Sequence, residues 1–186
     1  SRVRALAEAV HAGEMVGRIA TLLERARVLR IPVLHCIVTT RPDRGGSSAN
    51  CPLLAFARAG KGGGLLPGSP EARLVAALGP AETDYVLARL HGISPFQGTE
   101  LDAILRTLGV RTVVATGVSL NVALLGLTIE AVNRGYQVVL PLDATAGTPP
   151  AYVELLVEHT LRLLATVTTT AAVVTAWQGP RARQSS

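Results

Sequence analysis

The sequence predicts an α/β fold: a three-layer, doubly wound (Rossmann-like), mostly parallel sheet with helices on both faces. Short runs of β-branched and aliphatic residues alternate with segments whose apolar residues recur every three or four positions. These are the patterns of buried strands and amphipathic helices. Gly109 and Gly135 end two of the helical segments just before the next strand. Alternating strands and helices pair in parallel through right-handed crossovers.

The first two elements are a long helix and a buried strand. The helix is predicted over residues 5–29, because Ile19, Leu22 and Ala26 share one apolar face with their neighbours. The strand is predicted over residues 31–38, with a proline at its entry.

A long loop is predicted next, over residues 39–68, which are rich in Gly, Ser, Pro and Arg. Loops of this length inside a compact domain are usually functional or mobile. A short helix over residues 53–58 interrupts it. A second short helix is predicted over residues 71–78, after a serine cap and a first-turn proline, and a strand over residues 84–90.

The second half of the chain continues the alternation. Helices are predicted over residues 100–108, 121–134, 149–164 and 171–177, and strands over residues 110–116, 136–140 and 165–169. In parallel sheets, ligands sit at the carboxyl ends of the strands. The loops after Val38, Leu90, Thr116 and Leu140 are therefore expected to line one cleft.

The length and charge limit the class of protein. A chain of 186 residues fits one domain, predicted over residues 1–178, with residues 179–186 as a flexible tail. The net charge is +5, but the arginines are scattered and no aromatic platform accompanies them, so no nucleic-acid partner is expected. No signal peptide or uninterrupted spanning segment is evident, which predicts a cytoplasmic protein without a membrane partner.

The cysteines and histidines predict neither a disulfide framework nor a metal site. Cys36 lies in an apolar strand and is expected to be inert core, and Cys51 lies in the long loop with no evident base. His35 is expected to be a hydrogen-bonded core histidine. The four histidines are scattered without ligand spacing, so no metal or other cofactor is predicted.

The segment from Thr112 to Ala123 (TVVATGVSLNVA) is the most informative one. It is a predicted strand that breaks at Gly117 and runs directly into a helix. Enzymes of the α/β class place nucleophiles at such turns, because the helix N-terminus offers backbone N–H groups to developing negative charge. The residue at the end of this turn is alanine.

Three motifs together resemble the isochorismatase-like cysteine hydrolases: residues 89–101 (RLHGISPFQGTEL), 105–122 (LRTLGVRTVVATGVSLNV) and 131–144 (AVNRGYQVVLPLDA). The resemblance is close over the second half of the chain and looser before it. It implies hydrolysis of amides or of an enol-ether bond. It also implies an aspartate after the first strand, a lysine after a middle strand, and a cysteine at the turn. A non-proline cis peptide is implied shortly before the cysteine, by analogy at Val118–Ser119.

The sequence departs from this pattern at three places. The nucleophile position falls on Ala123, and alanine has no nucleophilic atom. The lysine position falls on Leu90, with Arg89 one residue earlier, and arginine does not give up its charge. The first strand with its aspartate has no counterpart before the first helix, so this strand is expected upstream of Ser1.

The resemblance and the expected cleft select five candidate substrate-binding residues: Arg89, His91, Ser119, Asn121 and Ala123. Each has an alternative. Arg89 is expected either to contact an anion or to pair with a nearby carboxylate. His91 is expected either to contact the substrate or to form a hydrogen bond with the backbone of its loop. The turn at 117–123 is a retained oxyanion-type pocket or an ordinary turn capped by Ser119 or Asn121.

Three further polar residues are expected to have structural roles. Asp143 is interpreted as a cap that organises its loop, and the hydroxyls of Ser94 and Thr99 as acceptors for backbone N–H groups.

The predicted function is that of an isochorismatase-like hydrolase family protein. It acts on or binds a small amide or carboxylate in the expected cleft, with cysteine-dependent catalysis lost. The alternative is a non-catalytic ligand-binding or scaffold homologue. A homo-oligomer, dimer or larger, is expected, because family members often are oligomers and residues 124–127 and 153–164 offer apolar surfaces.

Overall fold

The computed structural model describes residues 2–12, 14–59 and 65–179. Most of the predicted C-terminal tail lies outside these residues. The chain forms two compact units. We call Ser1–Ile31 with Arg111–Ser186 the terminal unit and Pro32–Val110 the middle unit, and describe each by itself.

The described residues alternate between helices and strands as predicted. The helices are α1 (Arg2–Ala12), α2 (Met15–Val28), α3 (Pro52–Ala59), α4 (Leu101–Thr107), α5 (Leu125–Asn133), α6 (Pro150–Leu156), α7 (Arg162–Leu164) and α8 (Thr170–Gln178). The strands are β1 (Leu34–Val38), β2 (Tyr85–Arg89), β3 (Thr112–Val114), β4 (Gly117–Val118), β5 (Gln137–Pro141), β6 (Thr145–Ala146) and β7 (Thr166–Thr168). The five predicted strands are all present, and β4 and β6 are short additions.

The middle unit is built on one parallel strand pair. Strands β1 and β2 pair in register from Leu34 opposite Tyr85 to Val38 opposite Arg89. The carboxyl ends of both strands therefore meet at one edge, where the long loop and the loop after β2 begin.

The predicted helix over residues 71–78 in the middle unit was wrong. The segment instead contains two single 3₁₀ turns, Pro70–Ala72 and Ala76–Leu78, with Arg73 and Val75 extended between them. No residue of either turn is buried. Most helical stability in proteins comes from packing an apolar face. A short segment without a buried face therefore does not form an α-helix.

The terminal unit contains the larger sheet. Strands β3, β5 and β7 lie side by side in that order, all parallel, and β4 pairs with β6 in a separate parallel ladder. The predicted strand over residues 110–116 is thus β3, which is shorter than predicted, and β4 follows it. Gly117, at φ 107°, starts β4 in a conformation that glycine adopts without steric cost.

The predicted single helix over residues 5–29 was also wrong, because it is two helices. Glu14 adopts the left-handed conformation, with φ 50°, immediately before α2. A left-handed residue cannot continue a right-handed helix, so the chain changes direction there. The predicted apolar face is confirmed in α2, where Ile19, Leu22 and Ala26 are buried.

Two of the helices contain a turn of π-helix. Leu120–Leu124 leads directly into α5, and Val157–Leu161 joins α6 to α7. Such wide turns accommodate an extra residue and are frequent at functional sites. The first of them lies in the strand-to-helix turn that the sequence singles out.

One of the two apolar stretches expected to form an oligomer surface is buried in the core of the terminal unit. Leu124 and Leu127 are buried within the protomer, so residues 124–127 do not offer the expected surface. Leu155 and Leu163, in the second expected stretch, are exposed. No helix of the described residues has both the length and the apolarity required to cross a bilayer.

Candidate functional site

The strand-to-helix turn of the terminal unit has the predicted cis peptide. The Val118–Ser119 bond is cis and precedes a residue other than proline, which confirms the position inferred from the resemblance. Ser119 is extended, and its carbonyl accepts the N–H groups of Val122 at 3.3 Å and Leu124 at 3.0 Å. The wide first turn is therefore anchored on the Ser119 carbonyl.

The three candidate residues of this turn are half-buried, so solvent reaches Ser119, Asn121 and Ala123 in part. The Ser119 hydroxyl makes no capping hydrogen bond to the helix that it precedes. The Asn121 amide donates to the Thr148 carbonyl at 3.1 Å and accepts the Thr148 N–H at 3.4 Å. Asn121 thus ties the turn to the loop before α6 rather than capping its own helix.

Gly147 lets this loop approach the turn closely. A Cβ atom on Gly147 would lie 2.9 Å from Cγ2 of Val153 and 3.0 Å from Oδ1 of Asn121. Only glycine avoids those contacts, so the Asn121 bridge depends on it.

A groove of about 450 Å³ lies beside the turn within the terminal unit. Sequence analysis did not identify its charged residues, Glu154, Glu158 and Arg162, which follow one another at helical spacing. The lining residues are Leu120, Leu142, Thr145, Ala146, Gly147, Val153, Glu154, Val157, Glu158 and Arg162.

Arg89 ends β2 in the middle unit and is 7% exposed. Its Nη2 donates to the carbonyl of Ile93 at 2.9 Å, while its Nε is buried without a hydrogen-bond partner. No carboxylate pairs with it among the residues that the structure describes, so the ion-pair alternative finds no partner there. Burial lowers the pKa of the Arg89 guanidinium, because the charged form is desolvated.

Leu90 and His91 follow Arg89 and are both exposed. Leu90, at the family's lysine position, is 38% exposed, and its Cδ1 would lie 3.7 Å from a Cβ on Gly46. The His91 ring lies over Gly98, where a Cβ would be 2.9 Å from Cε1. Neither residue is a lysine, and His91 is the titratable side chain of the two.

The prediction that Cys36 is a core residue was wrong. Successive side chains of a strand point to opposite faces; His35 is buried and Cys36 is exposed. The protein surrounding the sulfur nevertheless desolvates the thiolate and raises the pKa of Cys36 to about 11, and the Arg89 charge opposes this only in part. The thiol is protonated at neutral pH and is a poor nucleophile.

His35 is a hydrogen-bonded core histidine, as predicted. Its Nε2 lies 2.9 Å from Oδ2 of Asp84, and the same carboxylate oxygen accepts the Ala81 N–H at 3.1 Å. Sequence analysis missed Asp84 as the partner, because 49 residues separate the two in the chain. No group of three or more potential metal ligands occurs in the described part of the chain.

The three polar residues expected to have structural roles are confirmed in them. Asp143 Oδ1 accepts the Thr170 N–H at 2.7 Å and its hydroxyl at 3.0 Å, which caps α8. Ser94 Oγ accepts the Phe96 N–H at 3.3 Å. Thr99 Oγ1 accepts the N–H of the first residue of α4 at 3.2 Å.

The match to a known family settles the relationship that the three motifs suggest. A family model described as the isochorismatase domain matches residues 3–172. The chain belongs to the isochorismatase family. Its fold is accordingly the three-layer, Rossmann-like α/β fold, and the parallel strands of both units agree with it.

Individual members of the family are similar to this chain over different lengths. An isochorismatase family protein of Desulfovibrio vulgaris is 30% identical, with a TM-score of 0.77 over 89% of this chain and 85% of that one. N-carbamoylsarcosine amidase of Thermoplasma acidophilum is 25% identical, with a TM-score of 0.68 over 84% and 82%.

A curated relative is similar over a shorter stretch. Ureidoacrylate amidohydrolase RutB of Methylorubrum extorquens is 39% identical over 92 residues, which are 48% of this chain and 36% of that protein. The match thus spans about a third of the relative's length.

Proposed function

We propose that this isochorismatase-family protein binds a small amide or carboxylate at the carboxyl ends of its strands, and that cysteine-dependent catalysis has been lost. The observation that carries the proposal is Ala123, which stands where the resemblance places the nucleophilic cysteine. A methyl group cannot form the covalent intermediate that a thiolate forms.

The surroundings of Ala123 support retention of a binding pocket. Ala123 and Ser119 are partly accessible, and both lie in or beside the first turn of a helix. The N–H groups at the start of a helix attract negative charge. In this turn those of Val122 and Leu124 already donate to the Ser119 carbonyl, which leaves the others for a ligand. A carbonyl or carboxylate oxygen is the kind of group that such a turn binds.

The names of the relatives suggest which ligands to test first. One relative is an amidohydrolase of ureidoacrylate and another an amidase of N-carbamoylsarcosine. Both names describe an acid that carries a carbamoylated nitrogen. N-carbamoyl amino acids are therefore our first candidate ligands, with nicotinamide and isochorismate as tests of other family chemistries.

Restoration of the thiol tests the proposal. In a background with Cys36→Ser and Cys51→Ser, we expect Ala123→Cys to react rapidly with iodoacetamide and to gain amidase activity toward N-carbamoyl acids. Ala171→Cys, an exposed position in the first turn of α8, is the matched control for an ordinary thiol at a helix start. A thiol at position 123 that is slower than the control and inactive toward every substrate would overturn the pocket.

The second candidate function is a ligand-binding or scaffold protein without residual turnover. The replacement of the family's lysine by the exposed Leu90 favours it, because the lysine ammonium that the resemblance implies is then missing from that strand end. Saturable binding of an N-carbamoyl acid by the unmodified protein, without any product, would select this alternative. Slow hydrolysis would instead indicate a water-mediated route.

We also propose that the protein is a homo-oligomer that associates through residues 152–163. Tyr152, Leu155 and Leu163 are exposed there, with Leu163 at 81%. Several exposed large apolar side chains in one helical stretch are a feature of interaction surfaces.

A further inference from the structure

The carboxyl edge of the β1–β2 pair holds three polar groups that are buried and have no hydrogen-bond partner. They are Oγ1 of Thr40, Oγ of Ser47 and Nε of Arg89. Buried polar groups in folded proteins are nearly always paired, and an unpaired one calls for an explanation. Three at one strand edge point to a ligand that would complete them.

The backbone brings these three positions to the same edge. The N–H of Thr39, the residue before Thr40, donates to the Arg89 carbonyl at 2.9 Å. Gly46, the residue before Ser47, lies beside Leu90, the residue after Arg89. All three residues belong to the middle unit, so the edge is complete within that unit.

Arg89 gives this edge its charge. The side chain is more than nine-tenths buried, and only Nη2 has a hydrogen bond, to the Ile93 carbonyl. A buried cation without a counter-charge is costly, because a neutral carbonyl does not offset the loss of hydration. An anion that accepts from Nε would remove that cost.

The charge count favours a carboxylate over a phosphate. The neighbouring Arg41 is already occupied, since its Nε and Nη2 donate to the two oxygens of Asp43 at 2.9 and 2.8 Å. Arg58 lies beside Ser47, but its Nη1 already donates to the Ser47 carbonyl at 3.1 Å. The unpaired Nε of Arg89 and two hydroxyls match a planar monoanion, whereas a phosphate dianion needs more charge or more N–H groups.

We propose that Thr40, Ser47 and Arg89 form a binding site for the carboxylate group of an N-carbamoyl acid. We call these three residues the Arg89 site. The inference rests on the proposed function, because it takes its ligand class from there. Arg89 is the specificity-determining residue of the three, and the hydroxyls complete the oxygen coordination.

The test compares two ligands that differ only in charge. We expect isothermal titration calorimetry to show that 3-ureidopropionate binds the unmodified protein at least about tenfold more tightly than 3-ureidopropionamide, as expected for a charge-assisted hydrogen bond. Arg89→Gln should abolish the difference. Arg106→Gln, which removes an exposed arginine paired with Asp102 in the same unit, should preserve it.

Two further variants test the site independently in case Arg89→Gln misfolds. Thr40→Val and Ser47→Ala remove hydroxyls that have no partner, so neither should destabilise the free protein. Each should weaken 3-ureidopropionate binding several-fold and leave 3-ureidopropionamide binding unchanged, with the melting temperature as the folding control.

The outcomes separate this inference from the proposed function. Equal binding of acid and amide, no saturable binding of either, or discrimination that survives Arg89→Gln would overturn the Arg89 site. Amidase activity of Ala123→Cys toward uncharged amides, with no preference for acids, would leave the proposed function standing without the site. Binding of plain propionate as tightly as 3-ureidopropionate, with Ala123→Cys inert, would preserve the site and overturn the proposed function.

Discussion

The Nε2 atom of His35 lies 2.9 Å from Oδ2 of Asp84, and the two side chains are 7% and 1% exposed. The pair joins β1 to the residue that precedes β2. The Asp84 oxygen also accepts the Ala81 N–H, so one carboxylate fixes both the strand and the turn that leads to its partner.

Removal of the Asp84 carboxylate should destabilise the protein. We expect Asp84→Ala to lower the free energy of unfolding by about 1–3 kcal/mol, because it leaves the buried imidazole and the Ala81 N–H unpaired. Urea denaturation measures the change. Asp102→Ala, which removes an exposed i,i+4 ion pair with Arg106, should cost less than about 1 kcal/mol. Equal losses in the two variants would contradict a structural role for Asp84.

A side chain at Gly98 should meet both backbone strain and the His91 ring. Gly98 has φ 69°, and a Cβ atom there would lie 2.9 Å from His91 Cε1. Gly109 has a similar φ of 65° but nothing within 4 Å. We expect Gly109→Ala to cost about 1–2 kcal/mol from strain alone, and Gly98→Ala to cost more.

The double variant His91→Ala/Gly98→Ala separates the backbone strain at Gly98 from the contact with the His91 ring. His91→Ala removes the ring, so Gly98→Ala in that background should cost no more than Gly109→Ala. Thermal unfolding of the unmodified protein, the three single variants and the double variant measures the difference. An undiminished cost in the His91→Ala background would show that the ring does not limit this position.

The cap on α8 predicts a graded effect at Asp143. Asp143→Ala should destabilise the protein by about 1 kcal/mol, because the Thr170 N–H and hydroxyl both lose their acceptor. Asp143→Asn retains an acceptor oxygen and should recover most of the loss. If urea denaturation shows Asn and Ala to be equally destabilising, the contribution is the charge rather than the hydrogen bonds.

The Cys36 thiol should be slow to alkylate despite its exposure. With a pKa of about 11, its thiolate fraction at pH 8 is about one in a thousand, and the reaction with iodoacetamide should accelerate as pH rises toward that value. Arg89→Gln should raise the pKa further, because Arg89 opposes the shift. A rate at pH 8 typical of a free thiol, measured by mass spectrometry, would contradict the desolvation of this sulfur.

A charge at Leu163 should disrupt the proposed oligomer. Leu163→Glu is expected to lower the sedimentation coefficient to that of a monomer, whereas Leu108→Glu, at an exposed leucine after α4, should leave it unchanged. A monomeric unmodified protein, or an oligomer insensitive to Leu163→Glu, would refute this interface.

Sequence reasoning predicted the parts of the fold that depend on local pattern. The periodicity of Ile19, Leu22 and Ala26 located α2, and the turn chemistry around Thr99 located the start of α4. The division of the first helix was missed although it had a local signal, since Gly13 precedes the left-handed Glu14 and glycine commonly follows the end of a helix.

The candidate site was predicted less completely than the fold. Its strand ends and its turn followed from the order of elements and from the resemblance. The unpaired hydroxyls of Thr40 and Ser47 did not, because whether a hydroxyl is buried and unpartnered depends on how a whole loop folds. The position of Thr40 directly after a strand was the one available signal.

The wide turn at Leu120–Leu124 has a consequence for how this family can change by insertion and deletion. A π-turn holds one residue more than a regular helical turn. Loss of a single codon there would convert it into a regular α-helix, while the residues of α5 kept their places against the core. Because the wide turn absorbs the extra residue, the segments before and after the deletion would keep their register. A one-residue deletion there could therefore change which side chains stand at the turn without repacking α5.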